Sequence, residues 1–491
     1  MKGVMIQGTS SNVGKSIVVT ALCRWLSNHG YKVTPFKSQN MSNNSYVTRA
    51  GTEIGRAQGV QAEASRTTAI PEMNPILLKP RNDQRAEVIC LGESIHTYSG
   101  MEYRDAFYDK GKASILHSLQ QLEKQFDYII IEGAGSPVEV NLNDKELVNM
   151  SIAEMADVPV ILVADIDRGG VFASIVGTLQ LLSEHQRKRV KGIIINKFRG
   201  DRQLFEDGVE WIENYTGIKV LGIMPHVDHH IEAEDSLSLR EKRTTPHKTK
   251  IDLAVVALPY LSNFTDIDPF YLEADVDIRY VYRQEDLGSP DALIIPGTRS
   301  TMEDLQQLRS SGLEQAIMNY IQQGGTIAGI CGGYQMLSTT LVEEEKVMDG
   351  IGILPMTTYF HRKKVTRRVE GNLHPKSGFG TYSIEGFEIH LGDSKWDHWE
   401  HGFPPLFQIN EKKEGVVVDN GRIIGTHLHH CFHNDTFRTS WLNRIRGENG
   451  FPIREYTVRK KDPYDEMAHI FAAHMNMNEL WDIINQRENS L

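Results

Sequence analysis

The stretch Gly8-Thr9-Ser10-Ser11-Asn12-Val13-Gly14-Lys15-Ser16 limits the fold more than any other, because of what flanks it. An apolar run, Val4-Met5-Ile6-Gln7, leads in, and Ile17-Val18-Val19-Thr20-Ala21-Leu22 opens a helical pattern behind it. A strand that turns through glycines into a helix aims unpaired backbone amides and the positive end of the helix dipole at an anion. Gly8, Thr9, Ser11, Asn12 and Gly14 then form a phosphate cradle, Lys15 reaches the terminal phosphates and Ser16 offers its hydroxyl to Mg²⁺. The loop is one residue longer than the Gly-x4-Gly-Lys-Ser pattern. Further strand–helix units follow at 128–135, 159–170, 192–197 and 220–224. Alternation of this kind with right-handed crossovers predicts a doubly wound, mainly parallel sheet.

Ligands of such a sheet gather at the carboxyl ends of its strands. The apolar run Tyr128–Ile131 ends in Glu132 followed by glycine, a position suited to holding Mg²⁺ on nucleotide phosphates. Asn196, at the end of another apolar run, is placed to read the base. The strand at 33–37 ends in an amide-rich loop, so Lys37, Gln39, Asn40 and Asn43 are candidates for a second substrate, as are Asp167 and Arg168.

The polar run 241–250 breaks the alternation and reads as a linker, and a new buried strand starts at Leu253. The expected layout is a nucleotide domain over 1–240, a second α/β domain over 251–440 and a helical extension over 441–491. In the second domain Thr326-Ile327-Ala328 runs into Gly329-Ile330-Cys331-Gly332-Gly333 and then a helical segment. A cysteine on a sharp strand-to-helix turn has the form of a nucleophile elbow. The helix N-terminus favours its thiolate, and the Gly332 amide can serve an oxyanion. Gly297, at the end of Ala292-Leu293-Ile294-Ile295-Pro296, is a candidate for a second oxyanion amide. About a hundred residues downstream stands Gly425-Thr426-His427-Leu428-His429-His430, the order expected of a Cys/His hydrolase. A buried structural thiol is the plainer reading of Cys331 taken alone. The histidine clusters at 226–230 and 427–433 lack the spacing of a zinc site.

Pro296-Gly297-Thr298, Gly-Ile-Cys331-Gly-Gly-Tyr-Gln-Met-Leu and Gly-Thr-x-Leu-His429 together resemble the class I glutamine amidotransferases, in the branch found in the cobyric acid synthase family. The long phosphate loop is similar to that of dethiobiotin synthetase and its relatives. The runs Gln39–Ser45 and Ser262–Pro269 also resemble the cobyric acid synthase branch. The resemblance implies that Cys331 takes the glutamine carboxamide to a thioester, with His429 as base. It implies that ATP, with Mg²⁺, phosphorylates a carboxylate for ammonia to displace, and that the acceptor is a corrinoid polycarboxylate. The acceptor would be adenosylcobyrinic acid a,c-diamide, amidated at its b, d, e and g carboxylates. Most class I enzymes orient the histidine with Glu two residues on. Here that position is Cys431, so the orienting group is unassigned. Cobyrinic acid a,c-diamide synthase is the nearest competing reading. A switch ATPase would use the phosphate loop but neither Cys331 nor His429.

The net charge of −11 and the lack of a basic stripe argue against nucleic acid as partner. The one local basic cluster, 362–368, is expected in a solvated loop that could meet an anionic substrate. Four scattered cysteines suit a reducing compartment, and no run reaches the length of a membrane span, so a cytoplasmic protein is expected. A homo-oligomer is compatible with all of this.

Overall fold

The computed structural model describes residues 1–81, 85–227, 249–396, 402–456 and 462–486. They form two compact units. Of the described residues, 1–42, 52–227 and 462–486 make the first unit, and 43–51 with 249–456 make the second. The expected linker falls, except for its last two residues, outside the described ones. The other expected boundaries differ in two places. Residues 43–51 lie in the second unit. The stretch 441–491 does not form one extension: helix Asp435–Asn449 closes the second unit, and helices Pro463–His474 and Met477–Asn485 belong to the first.

The first unit is built on six parallel strands, in the order Val220–Pro225, Val190–Phe198, Val160–Asp165, Lys2–Gly8, Tyr128–Glu132 and Val33–Phe36. Lys2–Gly8 is central. Its register sets Ile6 against Glu132 and Gly8 against Val163, bringing the phosphate loop and Glu132 to the same end of the sheet. Helix Lys15–Asn28 buries Val18, Val19, Leu22 and Leu26 against this sheet. Met467, Phe471, Leu480, Ile483 and Ile484 of the C-terminal helices join the same core, which accounts for a stretch that carries no motif. Asp462 caps Pro463–His474 through the Tyr464 N–H and pairs with the buried Arg24.

A smaller sheet of Gln39–Met41, Ile76–Pro80, Arg85–Cys90 and Glu93–Ser99 stands apart from the main one. Beside it stand two helices, Gly100–Ala106 and Tyr108–Glu123, divided at Phe107.

In the second unit Val276–Val281, Ile251–Val256, Ala292–Ile295, Ile327–Ile330 and Ile423–Thr426 run parallel, and Val416–Val418 joins through an Asp419–Gly421 turn. Both units are therefore α/β with mainly parallel main sheets. The second also carries a long ribbon, Leu354–Leu373 paired antiparallel with Ser383–Trp396. The basic cluster 362–368 sits in this ribbon and not in a loop. Val365, Thr366 and Val369 supply the strand propensity, Arg367 pairs with Glu388 at 2.7 and 2.9 Å, and Arg368 donates to the Val47 carbonyl at 2.9 Å.

Candidate active site

Strand Ile327–Ile330 delivers Cys331 at the carboxyl end of the second unit's main sheet, with φ 51° and ψ −109°. That backbone is costly for a side-chain residue, and strain at a nucleophile keeps the sulfur presented at the turn. The turn closes only because Gly333 has no Cβ, which would meet the Ile295 carbonyl oxygen at 2.0 Å. His429 is fully buried, stacked on Phe387 at 5.2 Å between ring centres. Its Nδ1 lies 2.7 Å from Asp266 Oδ2, while Asp266 Oδ1 accepts the His430 N–H at 2.7 Å. A carboxylate on Nδ1 fixes the tautomer and turns Nε2, which also meets the Asn263 amide, to the Cys331 thiol, the geometry a base needs.

Burial works against charge on His429. The Asp266 carboxylate and the Cys331 sulfur outweigh it and carry the imidazole up to about 10. Burial likewise opposes the Cys331 thiolate, but His429, His390 and the Gly332 amide bring the thiol below its ordinary value. The Gly332 amide therefore lies against the sulfur. Gly297 lies against the imidazole, where an added Cβ would meet His429 Cε1 at 2.8 Å.

Three contributors were not singled out in the sequence. Asp266 supplies the orienting carboxylate that position 431 lacks. It sits in the Ser262–Pro269 run, and the only signal was an acid within a polar stretch 163 residues upstream of His429. Asn263, at φ 50°, sets its amide 3.2 Å from His429 Nε2 and accepts the Ser45 N–H at 3.0 Å through Oδ1. His390 stacks on His427 at 4.4 Å, and its ring nitrogen lies 3.7 Å from Glu388. His427 itself faces Glu414 at 3.7 Å, so it is engaged away from the thiol. Cys431 is buried, and burial pushes its thiol well up, which marks it as inert.

The pair's electrostatics give a prediction. Asp266→Asn keeps the shape but removes the charge that raises His429. Glutamine hydrolysis should fall on the order of 10²-fold or more. The wild-type thiol should react with iodoacetamide at lower pH than an ordinary cysteine, because its pKa is depressed. In the variant that pH profile should move upward. An unmoved profile would remove Asp266 from the pair.

In the first unit Gly14, at φ 98°, and Asn12, at φ 61°, shape the phosphate loop. Thr9 donates its N–H to Val163 at 3.0 Å, and the Ser11 carbonyl accepts from Ser10 at 3.2 Å. Lys15 donates to the carbonyls of Ser10 and Gly135, both at 3.0 Å, spanning the cradle it closes. Ser16 Oγ and Lys37 Nζ each lie 2.9 Å from Glu132 Oε1, and Gln61 donates to Oε2. Asn196 donates to the Val13 carbonyl at 2.7 Å, and Lys197 to that of Asn12 at 2.6 Å. Asn196 thus braces the loop in this structure, whereas a role at the base was expected of it.

The candidates for the second substrate separate. Lys37 joins Glu132, and Gln39 accepts the Tyr103 hydroxyl at 2.5 Å. Asn40 is buried against Gln58 at 3.1 Å, and Asn43 lies in the other unit. Asp167 pairs with Arg199 at 2.8 Å, and Arg168 is exposed beside it.

A hydroxyl and a carboxylate 2.9 Å apart beside a phosphate cradle fit a hard cation that takes oxygen ligands and keeps phosphate oxygens and water for the rest. Ser16 and Glu132 are the residues that would hold Mg²⁺, with the Lys37 ammonium already offsetting the Glu132 charge. Among the described residues no group of three or more His, Cys, Asp or Glu is placed to hold a metal ion; His229 and His230 of the first histidine cluster lie outside them. No helix among the described residues is long and apolar enough to cross a membrane.

Comparison with known proteins matches both halves. Residues 4–239 match the CobQ/CobB/MinD/ParA nucleotide binding domain, and residues 252–437 match the CobB/CobQ-like glutamine amidotransferase domain. Cobyric acid synthase of Geobacillus thermodenitrificans is 45% identical over 98% of this chain and 98% of its own. That of Anoxybacillus flavithermus is 46% identical over 97% and 96%, and that of Synechocystis 43% over 98% of each. With a phosphate loop in one unit and a Cys–His–Asp site in the other, and relatives alike from end to end, the chain belongs to the cobyric acid synthase family.

Proposed function

We propose that this chain is an ATP- and glutamine-dependent amide ligase that converts the b, d, e and g carboxylates of adenosylcobyrinic acid a,c-diamide to amides. The observation that carries this reading is the pairing of two complete sites on one chain, one built for phosphate and one for acyl transfer. Cys331 attacks the glutamine carboxamide carbon while His429 takes the thiol proton and passes it to the departing ammonia. The amides of Gly332 and Gly297 receive the oxyanion. Water then hydrolyses the thioester to glutamate. In the first unit a substrate carboxylate oxygen attacks the γ-phosphate of ATP, and Lys15 offsets the charge spread over the transferred group. Ammonia adds to the acyl phosphate and phosphate leaves. Mg²⁺, when bound, would supply further charge neutralisation on the phosphate oxygens.

Incubation with each corrinoid acid, followed by mass counting of amides, tests the assignment. Four new amides on the a,c-diamide are expected. Amidation of cobyrinic acid at a and c alone would make the chain a cobyrinic acid a,c-diamide synthase instead. A chelator distinguishes the two chemistries. EDTA is expected to stop amidation from either glutamine or ammonium while leaving glutamine hydrolysis largely intact, and equal loss of both would place a metal in the glutaminase site.

A further inference from the structure

The reaction needs three substrates, and the sites above account for two, ATP on the phosphate loop and glutamine at Cys331. The first unit also holds a cleft of about 470 Å³ that neither uses. Its floor is the small sheet, lined by the half-buried Ala86 over the buried Leu78 and Val88, and Tyr98 and Tyr103 stand at its wall. Met41, at the mouth, is 59% exposed although it is large and apolar.

Charge around the cleft runs against the chain as a whole. Arg81, Arg85, Arg104 and Lys145 line it, with Glu146 the one carboxylate in the lining, in a chain of net charge −11; just outside it Glu87 lies 3.7 Å from Arg81 and Asp105 2.7 Å from Lys145. Glu146 is committed elsewhere: its oxygens accept the N–H groups of Val148, Asn149 and Ser151 at the start of helix Met150–Met155. An apolar floor with an aromatic wall under a rim of cations suits a broad apolar ring with carboxylates at its edge, and the nucleotide has its own cradle at the phosphate loop.

The cleft also adjoins the phosphoryl chemistry. Gln39 lines it, held by Tyr103, and Lys37, two residues earlier, touches Glu132 beside Ser16. Two residues of extended chain span at most about 7 Å. The Gln39 edge of the cleft is therefore the edge nearest in the chain to the Lys37–Glu132–Ser16 cluster.

We infer that this cleft is the acceptor site, and that it holds the corrinoid by its ring face on the small sheet and by its carboxylates on the surrounding cations. The inference rests on the reading of the acceptor as a corrinoid polycarboxylate. It has a consequence for the reaction sequence. Each amidation removes one anion, so each intermediate is held by fewer charge contacts than the one before. The product carrying all four new amides is then the most readily released.

Equilibrium dialysis of the full chain against cobyrinic acid a,c-diamide, read by corrin absorbance, tests this without turnover. Arg85→Glu combined with Arg104→Glu should weaken binding by about tenfold or more at low salt. Ala86→Trp, which fills the floor without changing charge, should do the same. Both variants should keep ATP binding and glutamine hydrolysis, which shows that they fold. Arg85→Lys should retain most of the affinity, and cobyric acid, with four more carboxylates converted to amides, should bind wild type more weakly than the diamide. If wild type binds and amidates the corrinoid but both variants bind it equally well, the cleft is not the acceptor site. Failure of wild type to bind any corrinoid acid would instead strike at the proposed function itself.

Discussion

Cys331→Ala is expected to lose glutamine-dependent amidation by on the order of 10⁴-fold or more, and to regain amidation when ammonium salt is supplied at alkaline pH. The thiol has one task in the mechanism, to liberate ammonia, and free NH₃ makes that task unnecessary. The rescue should be weak near neutrality, where most ammonia carries a proton and has no lone pair to offer. ATP cleavage in this variant should still require the corrinoid, because the acyl phosphate forms at the other site. Amide counting by mass with both nitrogen sources reads the result. A switch ATPase would show no response to ammonium, and a hydrolase acting on the acceptor through Cys331 could not be rescued. Full glutamine-dependent activity in the variant would reduce the strained turn at Cys331 to an architectural feature.

Lys15→Ala separates the engines from the other side. Lys15 is the cation that bridges the two walls of the phosphate cradle, from Ser10 to Gly135. Its loss should lower amidation on the order of 10²-fold or more with glutamine and with ammonium alike, the scale of losing a preorganised charge contact. Glutamine hydrolysis, measured as glutamate released, should persist. Normal amidation by this variant would take the loop out of the chemistry.

The parallel sheets and the two glycine turns that present Lys15 and Cys331 were legible in the sequence because each is a local pattern. An apolar run, a glycine turn and a helix start within a dozen residues announce where Lys15 and Cys331 will stand. Asp266 was not legible, since its partner His429 is remote in the chain and any acid in a polar run looks alike until the fold brings it to a ring nitrogen. The ribbon Leu354–Leu373 was hidden by its own surface: a run of Arg and Lys masks the Thr357, Thr358, Val365, Thr366 and Val369 spread along it. The small sheet was only partly visible. Arg85–Cys90 has an apolar run, but Gln39–Met41 and Glu93–Ser99 are too polar and short to stand out as strands. Asn196 shows a further limit. A strand-end asparagine near a phosphate loop can serve the loop itself, and sequence cannot tell that from service to the ligand.

Residues 43–51, encoded near the start of the chain yet folded into the glutaminase unit, bear on how such a protein can be divided. Asn44 Oδ1 accepts the Phe264 N–H at 3.1 Å, and the Ser45 N–H holds the Asn263 side chain that touches His429. A glutaminase fragment that starts between residue 52 and Ile251 carries Cys331, His429 and Asp266 but leaves these two bonds behind. Adding residues 43–51 back would mean joining them to a chain end at which they do not naturally lie. The same holds for recombining halves from two relatives. A crossover in the polar stretch near 240 would pair one parent's Asn44 and Ser45 with the other parent's Asn263, so nine residues from the first tenth of the gene must be inherited with the second half.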